Sequence, residues 1–175
     1  MNSSINGVTT TTSQEHNMQP LDDPTNENSR VISGPSANLS DILEAVAAGV
    51  DMGGTDLRGV CLYASDMRGA KLAGADLSAA SLDGVDLRGV DLSGCNLAGA
   101  TMACAKLAGA DLSSADLRWV DLTCADLSNA CLDGVDLRGA NLLHAKLAGA
   151  DLTNALLEGA YLGGADLTGA VGVTP

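Results

Sequence analysis

Residues 105–134 read AKLAG ADLSS ADLRW VDLTC ADLSN ACLDG, which are six consecutive five-residue units with one internal pattern. The same period continues without interruption from Val50 to Gly169 and makes 24 units. The central residue is Leu in 21 units and Met in three, and the residue two positions before it is always small. This regularity decides the fold, because every unit must meet the same packing requirement.

A period of five matches neither regular secondary structure. An α-helix would spread the central residues around its circumference, and a flat strand would alternate them between two faces. Four units instead close a square coil of 20 residues, which places every central and every small residue inside. Gly is the commonest residue two positions after the centre, and it tolerates the positive φ of a tight turn. The sequence therefore predicts a stack of about six coils.

The units resemble the pentapeptide-repeat family, whose consensus is A(D/N)LXX. The triplet Ala-Asp-Leu stands at 75–77, 110–112, 115–117, 125–127, 150–152 and 165–167, and Val replaces Ala at 85–87, 90–92, 120–122 and 135–137. The resemblance implies an all-β fold, a right-handed quadrilateral parallel β-helix with Leu and small residues inward and the other positions outward. It covers 120 of the 175 residues and implies little about function, because the family is functionally broad.

Three further segments flank the predicted β-solenoid of residues 50–169. Residues 1–39 are polar and aperiodic, which predicts a disordered N-terminal tail. Residues 40–49 predict a short capping helix over the first coil: Ser40 or Asp41 can cap its start, Asp41 and Glu44 have capping-box spacing, and Gly49 ends it. Residues 170–175 form a C-terminal end without a bulky cap, so a homodimer through the C-terminal coil is a further expectation.

The composition limits the classes of partner and the cellular setting that we expect for this chain. The net charge is −13, which disfavours direct binding to nucleic acid or to an anionic membrane, although solubility alone would also explain an acidic surface. No apolar segment approaches the roughly 20 residues that span a bilayer. The five cysteines are odd in number, and the first residues have no secretory pattern, so we expect free thiols in a reducing cytoplasm.

Residues 20 apart should form columns along the stack. One column holds Asp56, Asp76, Asp116 and Asp136, and the adjacent column holds Arg58, Arg118 and Arg138. The arginines lie near the aspartates and partly neutralise them. Units 50–169 keep an excess of acidic residues, and the family resemblance implies an alternative function here, DNA mimicry toward DNA gyrase as in quinolone-resistance relatives. A gyrase supercoiling assay distinguishes that alternative from binding to other proteins.

Trp119 is the sole Trp and falls at an outward position beside Arg118. Trp and Arg are frequent anchors of protein interfaces. The candidate interaction surface is therefore Trp119 with Arg118, Arg138 and the aspartates of the neighbouring column. The alternative interpretation is structural, with the indole packed sideways over neighbouring coils.

A third candidate feature is the column of Cys104, Cys124 and His144 on successive coils. Their α-carbons should lie ~5 Å apart, within the range of a disulfide or of metal ligands. The column begins and continues with glycines, Gly84 and Gly164, so a fourth metal ligand is not evident and small corner residues are the simpler explanation. No nucleophile with a base and an orienting group is evident, and no nucleotide-binding Gly motif occurs. We therefore expect no catalysis, no metal and no cofactor.

The resulting hypothesis is a non-enzymatic protein–protein interaction module, a rigid acidic β-solenoid that presents columns of side chains to an unidentified protein partner. The first alternative is the gyrase or topoisomerase binder described above. The second is an exported effector whose polar N-terminal tail is its address.

Overall fold

The computed structural model describes residues 37–173, which form one α-helix followed by a continuous stack of coils. The helix, α1, spans Leu39–Ala48. Its N-cap is Asn38, whose Oδ1 accepts the N–H of Asp41 at 3.0 Å and whose Nδ2 donates to the Asp41 carboxylate at 2.8 Å. The prediction that Ser40 or Asp41 caps the helix was therefore wrong, because a reciprocal pair with the same spacing already forms one turn earlier.

The helix ends at Gly49, which adopts a left-handed conformation with φ 68°. Its N–H donates to the carbonyl groups of Ala45 and Val46, which would otherwise lack partners at the helix end. Ile42 and Ala45 of α1 are buried and belong to the same apolar cluster as the residues inside the coils. The helix thus lies on the first coil and covers its apolar interior.

Parallel β-bridges connect successive coils. All 21 bridges join residues that are 20 positions apart, from Asp51 and Lys71 to Asp151 and Val171. This is the register that four five-residue units per coil predict. Within residues 37–173 each bridge is isolated rather than part of a longer strand, because the rest of each unit is used by a turn.

A β-turn links every unit to the next. The carbonyl of each central Leu or Met accepts the N–H of the small residue three positions later, at N···O distances of 2.9–3.2 Å. The residue two positions after the centre has a positive φ in all 24 units, as a type II turn requires. Gly fills this corner position in 15 units, and the other nine carry a side chain there at a cost in backbone strain.

The Asp of the repeat has a structural role in the same turn. In all 13 units that have Asp before the central residue, a carboxylate oxygen accepts the N–H of the residue two positions later, as do the amide oxygens of Asn96 and Asn141. Asx side chains commonly stabilise turns in this way. The many aspartates of the chain are therefore explained first by the turns that they stabilise.

The core is a column of Leu and Met with Ala and Val between them. Every central residue from Met52 to Leu152 has at most 1% of its surface exposed. In the last coil the central residues Leu157, Leu162 and Leu167 are only partly buried, since no described residue stacks beyond them. The N-terminal end of the stack is thus covered and the other end is open among the described residues.

The predicted N-terminal tail lies outside the described residues except for its last positions, and so do the last two residues of the predicted C-terminal end. No helix within residues 37–173 is long and apolar enough to span a membrane.

Asp86 tests the role of the turn carboxylates, because it is the most buried of them, with 8% of its surface exposed. It receives two hydrogen bonds from Arg88 at 2.8 and 2.7 Å and lies 3.8 Å from the ammonium group of Lys106. The hydrogen bonds from Arg88 hold its pKa below the ordinary value of 3.8. A lowered pKa means that the ionised carboxylate stabilises the fold above about pH 4, and that this contribution is lost as the pH falls further.

We expect Asp86→Asn to keep the turn hydrogen bond, as Asn96 and Asn141 do, and to lose the charge pair. Asp86→Ala loses both and should cost about 1–3 kcal/mol in the free energy of unfolding at pH 7. Urea unfolding followed by circular dichroism measures the difference. The difference in stability between the wild type and Asp86→Asn should shrink as the pH falls below about 4, and a difference that stays constant as the pH falls would contradict this account.

Candidate functional site

Trp119 occupies the corner of the unit 115–119, with φ 60°. A bulky side chain at this backbone conformation is unusual and strained. The indole nevertheless remains 73% exposed, the largest exposure among the large apolar side chains of residues 37–173. The structure thus places the sole Trp outward, as predicted, on a backbone position where Gly is the usual residue.

The indole lies along the stack over the next coil. A Cβ atom added at Gly139, 20 residues later, would overlap the six-membered ring and would lie 2.9 Å from Cδ2 of Trp119. Position 139 therefore requires Gly for two reasons: its backbone has a positive φ of 69°, and a side chain there would occupy the space of the indole ring. One face of the indole packs over the next coil, as the structural alternative predicted. The rest of the ring faces outward.

Arg118 and Arg138 flank the indole and are held by carboxylates. Nε and Nη2 of Arg118 donate to the two oxygens of Asp116 at 2.8 and 2.6 Å, and Arg138 makes the same fork with Asp136 at 2.9 and 2.6 Å. Arg118 Nε also lies 3.8 Å from Asp136, which ties the two coils together. These contacts hold the pKa of Asp116 and of Asp136 below the ordinary value, with the arginine hydrogen bond as the largest cause.

Together these side chains form a half-open pocket of about 380 Å³ on one face of the stack. Its lining consists of Arg118, Trp119, Arg138, Gly139, Glu158 and Gly159. The pocket combines one apolar ring with guanidinium groups whose orientation is already fixed. The structure thus brings together Trp119, Arg118 and Arg138, and it adds Gly139, Glu158 and Gly159.

The remaining aspartates of the candidate surface have intramolecular partners. Asp56 pairs with Arg58 at 2.7 Å, and the hydrogen bond from Arg58 lowers the pKa of Asp56 to about 2. Asp76 accepts the N–H of Ser78 and a hydrogen bond from the side-chain amide of Asn96. Both lie on the same face as the pocket but on earlier coils, outside its lining.

The four faces of the stack differ in charge. In units 50–169, the face that begins with Asp51 carries five aspartates against Lys71 alone, whereas the face that begins with Asp66 balances four aspartates with four cations. Units 50–169 as a whole hold 16 acidic and eight basic residues. Their net charge of −8 over about 29 Å of stack is roughly half the charge density of duplex DNA, which has about one charge per 1.7 Å of axis. The face of the pocket is intermediate, because Arg58, Arg118 and Arg138 neutralise part of its acidity.

Cys104, Cys124 and His144 do occupy the same corner of three successive coils, with φ values of 57°, 58° and 57°. Both thiols are free and exposed. His144 turns its ring toward Gly164 on the next coil, where an added Cβ would overlap Nδ1. Within residues 37–173 no three His, Cys, Asp or Glu side chains are grouped closely enough to hold a metal ion.

The sequence model of the pentapeptide-repeat family matches residues 70–104, 100–139 and 136–171 of the chain, with eight copies of the repeat. The chain belongs to the pentapeptide-repeat family. Its fold is the right-handed quadrilateral β-helix of that family, in agreement with the square coils and the register described above.

Solved pentapeptide-repeat structures resemble the chain to different degrees. One from Nostoc PCC 7120 is 37% identical, with a TM-score of 0.53 over 59% of this chain and 84% of that one. HetL, a protein involved in the regulation of heterocyst differentiation in Nostoc sp. strain PCC 7120, is 35% identical, with a TM-score of 0.48 over 70% of this chain and 60% of its own.

QnrB1, a plasmid-mediated fluoroquinolone resistance protein, is 19% identical, with a TM-score of 0.55 over 70% of this chain and 64% of its own. At that identity the likeness concerns the fold alone. The chain spans less than two thirds of the length of HetL and of QnrB1. No curated protein sequence matches the chain.

The contact between Trp119 and Gly139 can be tested by substituting Gly139, with another corner glycine of the same column as the control. Gly99 lies in the same column with φ 66°, and a Cβ added there has no atom within 4 Å. Gly99→Ala and Gly139→Ala should each lose about 1 kcal/mol of stability from backbone strain. Gly139→Ala should lose more, because its methyl group displaces the indole.

Since Trp119 is the sole Trp, its fluorescence emission reports the displacement directly. We expect the emission spectrum to change in Gly139→Ala and to stay unchanged in Gly99→Ala. In a Trp119→Gly background the two glycine variants should become equally stable in urea. Equal stability and unchanged emission in the wild-type background would refute the contact.

Proposed function

We propose that the protein is a non-enzymatic interaction module that binds a protein partner through the pocket around Trp119. The observation that carries the proposal is the exposed indole at a corner position with φ 60°, where Gly would be free of strain. Strain that the surrounding structure maintains is frequently associated with functional sites. An exposed aromatic ring in a defined orientation is also a common anchor of interfaces.

The guanidinium groups strengthen this proposal. Arg118 and Arg138 each use Nε and Nη2 in a fork with an aspartate, which leaves their Nη1 groups available as donors. A partner that binds there meets side chains that have already lost much of their freedom, so less entropy is lost on association. The pocket is half open to solvent, so a side chain of a partner protein can reach it directly.

The charge pattern gives less support to DNA mimicry. The arginines pair with the aspartates on the pocket face, and the acidic face with Lys71 is sparse in charge. The likeness to QnrB1 concerns the fold and adds nothing on partners. Of the two hypotheses, binding to a protein through the Trp119 pocket therefore has the more specific structural support.

A homodimer through the C-terminal coil remains part of the proposal. Leu157, Leu162 and Leu167 are partly exposed at that end, whereas Leu152, in the first unit of the same coil, is 1% exposed because its backbone N–H bonds to Val171 beyond it. A second copy placed there would cover them. A light-scattering mass of 17.5 kDa, that of one chain, would contradict the dimer. A reducing, cytoplasmic setting stays an expectation for this chain.

Trp119→Gly separates binding from folding. It restores the residue that most corners have, so we expect its stability in urea to be unchanged or higher by up to about 1 kcal/mol. We also expect it to lose a protein that the wild type retains in affinity capture from a native lysate. Direct titration of that protein should change the fluorescence of Trp119 in the wild type.

The matched control is Tyr63→Ala, which removes an aromatic side chain that is 65% exposed on another face. The control should retain the captured protein. Identical sets of proteins on the wild type and on Trp119→Gly would exclude the pocket as the binding surface. Loss of the protein on both variants would point to a different surface.

A further inference from the structure

Cys104 and Cys124 lie at the same corner of two successive coils, 20 residues apart, and both are exposed and free. Of the five cysteines, no other two are separated by one coil. We propose that these two thiols form a redox pair that closes reversibly to a disulfide across the coils. The proposal concerns a different face from the Trp119 pocket and does not depend on the proposed function.

The distance between corners of this column fits a disulfide. Ala64 and Gly84 are earlier members of the same column, and a Cβ added at Gly84 would lie 3.9 Å from the Cβ of Ala64. Disulfides join residues whose Cβ atoms are about 3.5–4.5 Å apart. Because the register of 20 residues continues through Cys104 and Cys124, we expect their Cβ atoms to lie at a similar separation.

The direction of corner side chains also fits. Ser114, which is close in shape to Cys, occupies a corner with φ 57°, and its Oγ lies 3.6 Å from a Cβ added at Gly134 on the next coil. Asn129 points its Oδ1 in the same direction, toward Gly149. Corner side chains therefore extend along the stack, so the Sγ of Cys104 can approach Cys124 by rotation about its side-chain bond alone.

The other three cysteines provide a contrast. Cys95 is 1% exposed inside the stack, its Sγ is 3.0 Å from the carbonyl oxygen of Leu72, and burial raises its thiol pKa to about 11. Cys61 is bridged to Ser81, and Cys131 is bridged to Asp111 and Asp151. None of these has a cysteine at the equivalent position of an adjacent coil.

The reaction is thiol–disulfide exchange with a small-molecule disulfide such as oxidised glutathione. The thiolate of one cysteine attacks a sulfur of glutathione disulfide, which forms a mixed disulfide and releases one glutathione thiolate. The thiolate of the second cysteine then attacks the protein sulfur of the mixed disulfide and releases the second glutathione. Two electrons pass from the thiol pair to glutathione disulfide, and the two thiol protons are taken up by the released thiolates or by solvent.

Closure would connect two coils by a covalent bond across 20 residues of chain. Such a link stabilises a protein chiefly by restricting the unfolded chain. An exposed disulfide is also open to reduction by thiols, so the bond can form and break with the redox state of its surroundings. The pair thus offers a way to make the stack more or less resistant to unfolding without a change in its faces.

The experiment uses the full chain carrying Cys61→Ser and Cys131→Ser, which leaves Cys95, Cys104 and Cys124. After incubation with oxidised glutathione, the protein is denatured, alkylated and weighed by intact mass spectrometry. We expect one alkylated thiol instead of three, no retained glutathione, and full recovery of three thiols after dithiothreitol. The urea midpoint of the oxidised protein should be higher than that of the reduced protein.

The control adds Cys104→Ser, a residue that the Ser114 corner shows to be compatible with this backbone. Its remaining exposed cysteine should stop at a mixed disulfide, with one bound glutathione and no rise in the urea midpoint. Three outcomes in the parent protein would overturn the proposal: three alkylated thiols after oxidation, glutathione retained on both cysteines, or a disulfide between two copies of the chain on a non-reducing gel.

Discussion

The register of 20 residues governs the whole molecule. It aligns each bridge residue with its equivalent on the next coil, and it places each central Leu or Met directly above another. The hydrogen bonds between coils and the apolar column therefore depend on the same geometry. Each coil supplies the surface on which the next one packs, so stability accumulates between neighbours rather than around one centre.

The corner positions limit which side chains this geometry can accommodate. Every unit turns through a residue with positive φ, and nine of these residues carry side chains. The side chains extend toward the next coil, which explains why Trp119, Asn129 and His144 are each followed 20 residues later by Gly. A large corner residue thus imposes a requirement on a distant position in the sequence. The pocket around Trp119 exists because Gly139 meets that requirement.

Much of this could be predicted from the sequence, and the exceptions have physical reasons. Periodicity alone gave the inward positions, the coil length and the column that joins Arg118 to Arg138, because these depend on backbone spacing. The helix N-cap was misplaced because several polar residues precede Ile42, and only the hydrogen bond between Asn38 and Asp41 distinguishes among them.

The role of Gly139 was missed for a different reason. A corner glycine is already explained by its φ, so the sequence offers no separate sign that a ring lies over it. The orientation of the indole depends on a side-chain rotamer, which periodicity does not determine. The columns did contain the necessary signal, since Gly139 lies 20 residues after Trp119.

The square coil also restricts how such a gene can change in length. Loss or gain of one five-residue unit between Trp119 and Arg138 would keep the core pattern intact, yet it would rotate every later unit by a quarter turn. Arg138 and Gly139 would then move to a neighbouring face, and the pocket would be divided while the chain still folded. Only the gain or loss of a whole coil preserves all four faces. Duplication or deletion in steps of 20 codons can therefore change the length of the stack while each residue column stays on its own face.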